Sequence, residues 1–294
     1  MHPRLANWIS QGKYTSFNGL SIFYRVLGEG PALLILHGYP FNGFDFEKLM
    51  DSLAERFTII LPDMPGMGFS DKPENHEYSF EEMADVYSAV LKELQTTEVH
   101  MLAHDLGDSV VQELLARDQE KTNLFTIRSV AFLNGGLFSD VYRPRRMQVL
   151  LSKSPAFLGS FISRSLTKKM VIRATSEVFG KYTKPSTELE EIFWDILNYK
   201  NGKRITYLLG RLVFAKLKYQ SRWITAMQRT TIPLSFINGP ADPNSGILMA
   251  NRYMELLPNG NVYLLGKNIG HWPQIEAPEE TLQKFYDFHS SLEK

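Results

Sequence analysis

The sequence contains no cysteine and has no excess of charge of either sign. Without cysteine the chain cannot form a disulfide framework, a thiol nucleophile or a cysteine-ligated metal site. Its 32 Lys and Arg residues balance its 32 Asp and Glu residues, so the overall charge does not indicate binding to nucleic acid. These absences fit a reducing compartment, and we expect a cytoplasmic protein with no nucleic-acid partner.

Long apolar runs are also missing. No stretch approaches the roughly 20 apolar residues that a bilayer-spanning helix needs, and the N-terminal MHPRLANWISQGKYTSF has no extended apolar segment. The composition is otherwise that of a globular protein, with 44% hydrophobic and 12% aromatic residues over 294 positions. A chain of this length and composition can bury a full core, and we expect it to be soluble.

Charge is unevenly distributed along the chain. Residues 137–229 contain 18 Lys and Arg against 6 Asp and Glu, whereas the remainder contains 14 against 26. This contrast indicates an inserted subdomain with its own surface. The segment RMQVLLSKSPAFLGSFISRSLTKKM also mixes apolar and basic residues, as helices at membrane surfaces do. A solvated basic surface is the simpler interpretation, and weak contact with an anionic membrane or an acidic partner is the alternative.

The order of sequence patterns predicts an α/β fold. A hairpin signal at Asn18-Gly19 precedes apolar runs such as PALLILHG and FTIILP, which alternate with amphipathic helical patterns. Ser79 and Glu82 form a capping-box pattern before one of these helices. Such alternation favours a mostly parallel sheet flanked by helices. It stops between 137 and 229 and then resumes, so we predict a core of residues 1–136 and 230–294 with a helical cap of residues 137–229.

The stretch EVHMLAHDLGDSVVQELLARD places Asp105 where an apolar strand becomes a helix. Ala103 and Gly107 flank Asp105 at two residues' distance, and small residues at these positions let the backbone bend sharply. The helix start favours an ionised carboxylate because its unpaired N–H groups carry partial positive charge. Asp105 is therefore a candidate nucleophile, although by itself it could equally be only an N-cap. Ser109 lies a turn into the helix and lacks this placement.

Three distant loops supply partners for Asp105. The segment HGYP follows a buried strand and can aim the Tyr39 N–H at the site, where it would form an oxyanion hole with the Leu106 N–H. The segment INGPADPNS carries Asp242, and GKNIGHWPQIEAP carries His271 just before the last predicted helix. The chain order of nucleophile, acid and histidine is the order that this kind of triad requires. Together these features predict a catalytic triad of Asp105, Asp242 and His271.

The motifs HGYP, DMPGMGFSDKP, HDLGDS, GPADP and GHWPQIEAPE resemble those of the α/β-hydrolase superfamily, in the branch of epoxide hydrolases and haloalkane dehalogenases. Within that branch, GKYTKPSTELEEIFWDI and LNGGLF are similar to the mesoderm-specific transcript protein group. The resemblance implies an eight-stranded, mostly parallel sheet with a helical cap inserted after the sixth strand.

An aspartate nucleophile determines the class of reaction. A carboxylate that attacks a saturated carbon forms an alkyl ester, which water activated by His271 and Asp242 would then cleave. Epoxides and alkyl halides are the substrates that fit this chemistry. The resemblance implies that a dehalogenase would carry halide-binding side chains where this chain has Leu106 and Tyr39, so we expect an epoxide hydrolase. The alternatives are a haloalkane dehalogenase, another small-molecule hydrolase, or a catalytically weak member that only binds ligands.

The resemblance also implies that cap tyrosines protonate the epoxide oxygen. Tyr182 is our first choice among the five tyrosines of the cap: Tyr142, Tyr182, Tyr199, Tyr207 and Tyr219. We predict that the binding site of a small apolar or amphipathic substrate includes four further side chains, those of His37, His104, Trp194 and Trp272. No pair of histidines has metal-ligand spacing with a nearby carboxylate, so we expect neither a metal nor a cofactor.

Overall fold

A single eight-stranded sheet organises the computed structural model, which describes residues 1–292. The strands lie in the order β1-β2-β4-β3-β5-β6-β7-β8. Only β1 and β2 run antiparallel to their neighbours, and the other pairs are parallel. The strand bounds are β1 Lys13–Phe17, β2 Leu20–Leu27, β3 Ala32–Leu36, β4 Thr58–Pro62, β5 Glu98–His104, β6 Thr126–Leu133, β7 Leu234–Asn238 and β8 Asn261–Leu264. The predicted fold class is confirmed.

Helices cover both faces of the sheet. Their bounds are α1 Pro3–Ser10, α2 Glu47–Ala54, α3 Phe80–Glu93, α4 Leu106–Gln119, α5 Arg146–Lys153, α6 Ala156–Ser165, α7 Lys168–Ser176, α8 Thr187–Asn198, α9 Thr206–Gly210, α10 Leu212–Ala215, α11 Gln220–Arg229, α12 Ile247–Leu256, α13 Pro273–Glu276 and α14 Pro278–Ser291. Short 3₁₀ helices span Gly43–Phe46, Tyr199–Ile205 and Lys216–Lys218. The apolar residues form one large cluster on each side of the sheet, so the buried strands are apolar on both faces.

The start of α3 forms only half of the predicted capping box. Ser79 Oγ accepts a hydrogen bond from the Glu82 N–H at 3.1 Å, as the pattern predicts. The Glu82 carboxylate instead contacts His76 Nε2 at 2.8 Å. The helix is therefore capped by the serine alone, because the glutamate has another partner.

The carboxyl ends of the parallel strands meet at one edge of the sheet. β3 leads into the HGYP segment, β5 into Asp105, β7 into the loop of Asp242, and β8 into the loop of His271. Ligands of open α/β sheets bind outside this edge, since the loops that follow the strands converge there. The topology thus brings together four segments that are far apart in sequence.

Between β6 and β7 the described chain is helical, as predicted, but the last helix of this stretch belongs to the core. Helix α11 packs along α4, and its Trp223 Nε1–H donates to Glu113 Oε2 of α4 at 2.9 Å. Trp223, Ala226 and Met227 lie in the larger apolar cluster of the core. Helix α11, which the predicted cap of residues 137–229 includes, therefore packs against the core, and the boundary of the cap stays a prediction.

Some of the basic residues of the cap form salt bridges with acidic residues of the core. Arg164 and Arg204 both pair with Glu74, at 2.8 and 2.5 Å, and Lys200 pairs with Asp71 at 2.8 Å. Because acidic residues of the core face basic residues of the cap, the opposite charges of the two parts attract across their contact. Part of the basic charge of the cap is therefore paired with acidic residues of the core. The interpretation of this charge as a wholly solvated basic surface is corrected to that extent.

Helix α6 presents aromatic side chains to solvent. Phe157 is 79% exposed and Phe161, one turn later, is 68% exposed. Within residues 1–292, no helix combines the length and apolarity that crossing a bilayer requires. Contact of the cap with a membrane surface stays a prediction.

Gly107 is a point of close packing between α4 and β3. A Cβ atom at this position would lie 2.3 Å from Leu36 O and 2.8 Å from His37 O, both backbone atoms. We expect Gly107→Ala to lower the free energy of unfolding by about 1–3 kcal/mol, the usual cost of overpacking a rigid site. Urea denaturation measures this change.

Gly210→Ala is the matched control for this substitution. A Cβ at Gly210 would meet nothing closer than 3.6 Å, and Gly210 ends helix α9. The control should leave stability unchanged or raise it by up to about 1 kcal/mol through helix propensity. Equal effects of the two substitutions would contradict the packing argument.

Candidate active site

Asp105 lies in a sharp turn between β5 and α4. Its backbone has φ +53° and ψ −108°, a conformation that costs a non-glycine residue about 1–3 kcal/mol. The Asp105 N–H donates to Leu133 O at 3.3 Å, which ties the turn to the end of β6. The side chain makes no capping hydrogen bond with α4 within the described residues. The geometry therefore does not support the alternative that Asp105 is only an N-cap.

Gly38 gives the Asp105 side chain its space. A Cβ atom at Gly38 would lie 2.7 Å from Asp105 Cβ and 3.0 Å from His104 Nδ1. The glycine of HGYP thus lets the segment after β3 pass directly beside the turn after β5. This close approach brings the next residue, Tyr39, into contact with the carboxylate.

The two backbone N–H groups of the predicted oxyanion hole lie next to the Asp105 turn. The Tyr39 N–H donates to Asp105 Oδ1 at 3.0 Å. Leu106 is the first residue of α4, so its N–H has no acceptor inside the helix. The role of the Leu106 N–H as the second donor stays a prediction.

His271 lies between the two predicted acidic residues. Its Nδ1 is 2.8 Å from Asp242 Oδ2, and its Nε2 is 3.4 Å from Asp105 Oδ2. Asp105 therefore has its two oxygens in different settings, with Oδ1 at the Tyr39 N–H and Oδ2 at the imidazole. The three side chains of the predicted triad lie together, with Asp242 and His271 buried and the Asp105 side chain 14% exposed.

Asp242 is held by three groups that the sequence reasoning did not identify. Ser245 Oγ donates to its Oδ2 at 2.6 Å, Asn134 Nδ2 donates to the same oxygen at 3.1 Å, and the Asn244 N–H donates to Oδ1 at 2.8 Å. These bonds orient the carboxylate toward His271 and favour its ionised form. Asn134 follows the end of β6, and a polar residue at the carboxyl end of a parallel strand was the available signal.

The charges of the cluster shift one another. Burial alone would lower the pKa of His271, but Asp242 and Asp105 outweigh burial and raise it well above its usual value. Burial alone would also raise the pKa of Asp105, but His271, His104 and the Tyr39 N–H together hold it well below its usual value. The resting site therefore contains an ionised Asp105 beside a protonated His271.

The His271 loop is fastened through its backbone. The His271 N–H donates to Val178 O of the cap at 3.0 Å, and His104 Nε2 lies 2.7 Å from His271 O. Because a carbonyl oxygen only accepts, His104 carries its proton on Nε2. Burial lowers the pKa of His104 to about 3, so the ring stays neutral.

Glu276 joins the same loop to the cap. Its carboxylate accepts hydrogen bonds from the N–H groups of Gly270 at 2.8 Å, Trp272 at 3.0 Å and Gly180 at 2.9 Å. Gly180 belongs to the segment between α7 and α8. This glutamate, which the sequence reasoning did not single out, therefore fixes His271 from both sides and couples the loop to the cap.

Two of the predicted substrate-binding histidines brace loops instead. His37 Nδ1 is 2.9 Å from Gly38 O, and its Nε2 accepts the Met64 N–H at 2.9 Å. Both nitrogens of His37 are thus occupied by backbone groups, and the ring is fully buried. His104 is also fully buried, and its Nε2 contacts the backbone of the His271 loop, so the assignment of both histidines to substrate binding is corrected.

An apolar cavity of about 120 Å³ lies between the core and the cap. Tyr39, His271 and Trp272 form its core side, and apolar cap residues such as Leu151 and Val171 form its other walls. Trp272 therefore forms part of the cavity wall, and its role in substrate binding stays a prediction. Trp194 does not line this cavity, because it packs against a small cap cluster of Leu166, Val171 and Leu197.

A second, smaller cavity of about 20 Å³ lies directly at Asp105. Its polar lining includes Asp105, Ser109, Tyr142, Gln148 and Lys216. Tyr39 and Gln148 line both cavities, so the two spaces are neighbours. The arrangement provides a reaction compartment beside the carboxylate and a larger apolar compartment next to it.

The predicted proton donor Tyr182 lies elsewhere. Its side chain is 71% exposed and lines neither cavity, so the choice of Tyr182 is corrected. Among the cap tyrosines it is Tyr142 that lines the cavity at Asp105. In the sequence, Lys216 is one of many basic residues of the cap, and its position in the apolar run RLVFAKL is the signal of a buried lysine.

Residues 1–292 contain no group of three or more His, Asp or Glu side chains placed to hold a metal ion. The active-site arrangement is built from the side chains described above. It combines an ionised carboxylate, a histidine paired with a second carboxylate, and a backbone N–H directed at one carboxylate oxygen.

Comparisons with known proteins agree with this fold. The alpha/beta hydrolase fold family matches residues 31–278. The human mesoderm-specific transcript homolog protein is 36% identical, over 99% of this chain and 90% of its own length. Among solved structures, the epoxide hydrolase CorEH superposes with a TM-score of 0.79 at 19% identity, covering 96% of this chain and 99% of the other. A loop variant of the haloalkane dehalogenase DbeA from Bradyrhizobium elkanii superposes with a TM-score of 0.72 at 21% identity, covering 96% and 97%.

The sheet order, the turn at Asp105 and the match over residues 31–278 lead to one conclusion. This chain belongs to the α/β-hydrolase fold family, and it is a close homologue of the mesoderm-specific transcript proteins.

Proposed function

We propose that the protein is a hydrolase that opens epoxides to diols through a covalent ester on Asp105. The observation that carries this proposal is the presence of a carboxylate at the turn after β5, with His271 and Asp242 behind it. A serine at such a position forms acyl esters, whereas a carboxylate attacks saturated carbon and forms an alkyl ester. The reaction class therefore follows from the identity of residue 105.

The two oxygens of Asp105 have separate tasks in this proposal. Oδ2, which is not engaged by the backbone, attacks the epoxide carbon and becomes the alkyl oxygen of the ester. Oδ1, which accepts from the Tyr39 N–H, becomes the carbonyl oxygen. When water adds to this carbonyl, the negative charge develops on the oxygen that already has a donor in place.

His271 activates the water for the second step. Formation of the ester removes the negative charge of Asp105, one of the two charges that raise the pKa of His271. The ring then releases its proton more easily, at the stage where it must accept one from water. Only the neutral ring is a base, so the rate of ester hydrolysis should rise with pH through the pKa of His271.

An oxygen leaving group fits this site better than a halide. Leu106 and Tyr39 offer no side-chain N–H donor to a halide beside Asp105. Trp223 Nε1 donates to Glu113 at 2.9 Å and Trp272 Nε1 donates to Asp45 at 3.0 Å, so both indole N–H groups have other acceptors. Haloalkanes serve as the comparison substrates in the experiment below.

The apolar cavity suggests the size of the substrate. A cavity of about 150 Å³ with apolar walls binds benzene in another protein, and the cavity here measures about 120 Å³. A terminal epoxide with one phenyl or short alkyl substituent would place its three-membered epoxide ring at Asp105 and the substituent against Leu151 and Val171. We therefore propose small apolar epoxides as the substrate class.

Trapping the ester tests the nucleophile. His271→Gln should form the ester but not hydrolyse it, so its intact mass should rise by the mass of the whole epoxide. A haloalkane would add only its alkyl group, so the mass gain also identifies the leaving group. The double variant with Asp105→Ala should show no gain, whereas Asp71→Asn in the His271→Gln background should behave like His271→Gln. Wild-type turnover by Asp105→Ala would refute the proposal.

Isotope labelling tests which bond water breaks. In a single turnover with enzyme in excess in H₂¹⁸O, water attacks the Asp105 carbonyl, so the label should enter Asp105 and not the diol. Peptide mass spectrometry measures the gain on the peptide that contains Asp105. Label in the diol after one turnover would instead show direct attack of water on the epoxide.

The pKa of His271 provides a test that needs no substrate. Asp105→Asn removes one of the charges that raise this pKa, so the ring of His271 should titrate at lower pH than in the wild type. Histidine NMR signals followed through a pH series measure the change. Asp71→Asn, which removes a charge paired with Lys200 outside the site, should leave His271 unchanged. Identical titrations of the wild type and Asp105→Asn would rule out the charge coupling.

A further inference from the structure

A buried lysine of the cap lies beside the nucleophile. Lys216 begins the 3₁₀ helix Lys216–Lys218 and is only 7% exposed. It lines the same cavity of about 20 Å³ as Asp105. A buried ammonium is costly unless it has partners or a function.

The partners of Lys216 leave donors available. Its Nζ donates to Gly136 O at 2.8 Å and lies 3.9 Å from the centroid of the Tyr142 ring. An ammonium carries three N–H donors, and within the described residues only the bond to Gly136 O uses one. The other N–H donors of Lys216 lie beside the cavity at Asp105.

Gly136 leaves the space that the ammonium occupies. A Cβ atom at Gly136 would lie 2.2 Å from Lys216 Nζ and 2.9 Å from Tyr142 Cδ2. The loop after β6 thus leaves a space for the Lys216 ammonium. The side chain of any residue larger than glycine at position 136 would occupy this space. The placement of Lys216 therefore depends on a specific backbone approach.

Tyr142 is the second donor of this cavity. Its hydroxyl oxygen accepts from Gln148 Nε2 at 3.3 Å. Burial, together with the charges of Asp105 and Asp242, raises the pKa of Tyr142, so its hydroxyl keeps its proton. The O–H of Tyr142 is thus available to an oxygen in the cavity.

The other cap tyrosines have different surroundings. Tyr182 is exposed, Tyr199 packs on Phe69, and Tyr219 stacks on Trp223. Tyr207 contacts the guanidinium of Arg211. The cavity at Asp105 is therefore lined by one cap tyrosine, Tyr142, and by Lys216, and not by two cap tyrosines.

We propose that Lys216 is the acid that protonates the epoxide oxygen, and that the Tyr142 O–H holds this oxygen while the ring opens. This inference rests on the proposed function and specifies its leaving-group site. Asp105 Oδ2 forms a bond to the epoxide carbon, and the C–O bond of the ring breaks with its electron pair passing to the ring oxygen. That oxygen takes a proton from Lys216 and becomes a hydroxyl, which leaves a neutral amine.

Hydrolysis returns the proton to Lys216. His271 takes one proton from water, and the hydroxide adds to the Asp105 carbonyl. The acyl–oxygen bond then breaks, and the departing alkoxide takes the proton from His271 to complete the diol. Asp105 is left as a carboxylic acid, whose proton passes to the Lys216 amine, so water and epoxide account for every atom of the diol.

Replacement of the lysine tests this role. In the His271→Gln background, Lys216→Met should slow formation of the Asp105 ester from a phenyl-substituted epoxide by at least about 100-fold, since general acids contribute about 10²–10⁴-fold. Lys218→Met, which removes the same charge from an exposed position two residues later, should leave this rate unchanged. An equal rate in His271→Gln with and without Lys216→Met would overturn the proposal while leaving the Asp105 nucleophile intact.

A pH profile separates acid catalysis from a structural role and needs no Lys216 variant. Burial lowers the pKa of Lys216 to about 8, against the opposing effect of Asp105 and Asp108, the acidic groups that face it from the start of α4. The ammonium is the donor, so the rate of ester formation in His271→Gln should be constant below pH 8 and fall above it. A rate independent of pH up to pH 10 would contradict the role of Lys216.

The outcomes for the two proposals are distinct. If His271→Gln forms no ester with any epoxide, the proposed function fails and the role of Lys216 fails with it. If the ester forms but depends on neither Lys216 nor pH, only the leaving-group site is wrong. Ester formation that is lost in Lys216→Met, retained in Lys218→Met and lost above pH 8 supports both.

Discussion

The sharp turn at Asp105 is the constraint on which the arrangement of the site depends. Its positive φ is unfavourable for aspartate, and it persists because the surrounding structure leaves the chain no alternative. β5 is a central strand between β3 and β6, and most of α4 after the turn is buried. Gly38 and Gly107 admit the neighbouring backbone, so the carboxylate stands at the edge of the sheet where the other loops converge.

Buried charges of alternating sign give this site its electrostatic character. Asp242, His271 and Asp105 follow one another across contacts of 2.8 and 3.4 Å, and Lys216 lines the same small cavity as Asp105. Each charge is costly to bury alone, and the neighbours of opposite sign offset this cost. The same coupling lets a change of charge at one residue alter the proton affinity of the next, and the proposed two-step hydrolysis depends on this coupling.

Much of the core could be predicted from the sequence because its signals are local or periodic. The alternation of apolar runs and helical patterns predicted the parallel sheet, and the order of Asp105, Asp242 and His271 predicted three side chains that the structure places within contact distance. The cap was harder to predict. Tyr182 was chosen for the resemblance of its segment, but it is exposed, and α11 was assigned to the cap although its apolar face covers α4.

The sequence by itself determined the fold class, the loops that meet at the active edge and the carboxylate that distinguishes this site from a serine hydrolase. These follow from residue type and strand order, which constrain a parallel sheet strongly. Only the tertiary structure decided which polar side chains of the cap face Asp105. The cap consists of short helices whose packing depends on contacts with the core, such as Arg164 with Glu74 and Gly180 with Glu276, and helical spacing alone cannot specify such contacts. For that reason Lys216, which the sequence alone suggests to be a surface charge of the cap, is buried in the fold and lines the cavity at Asp105.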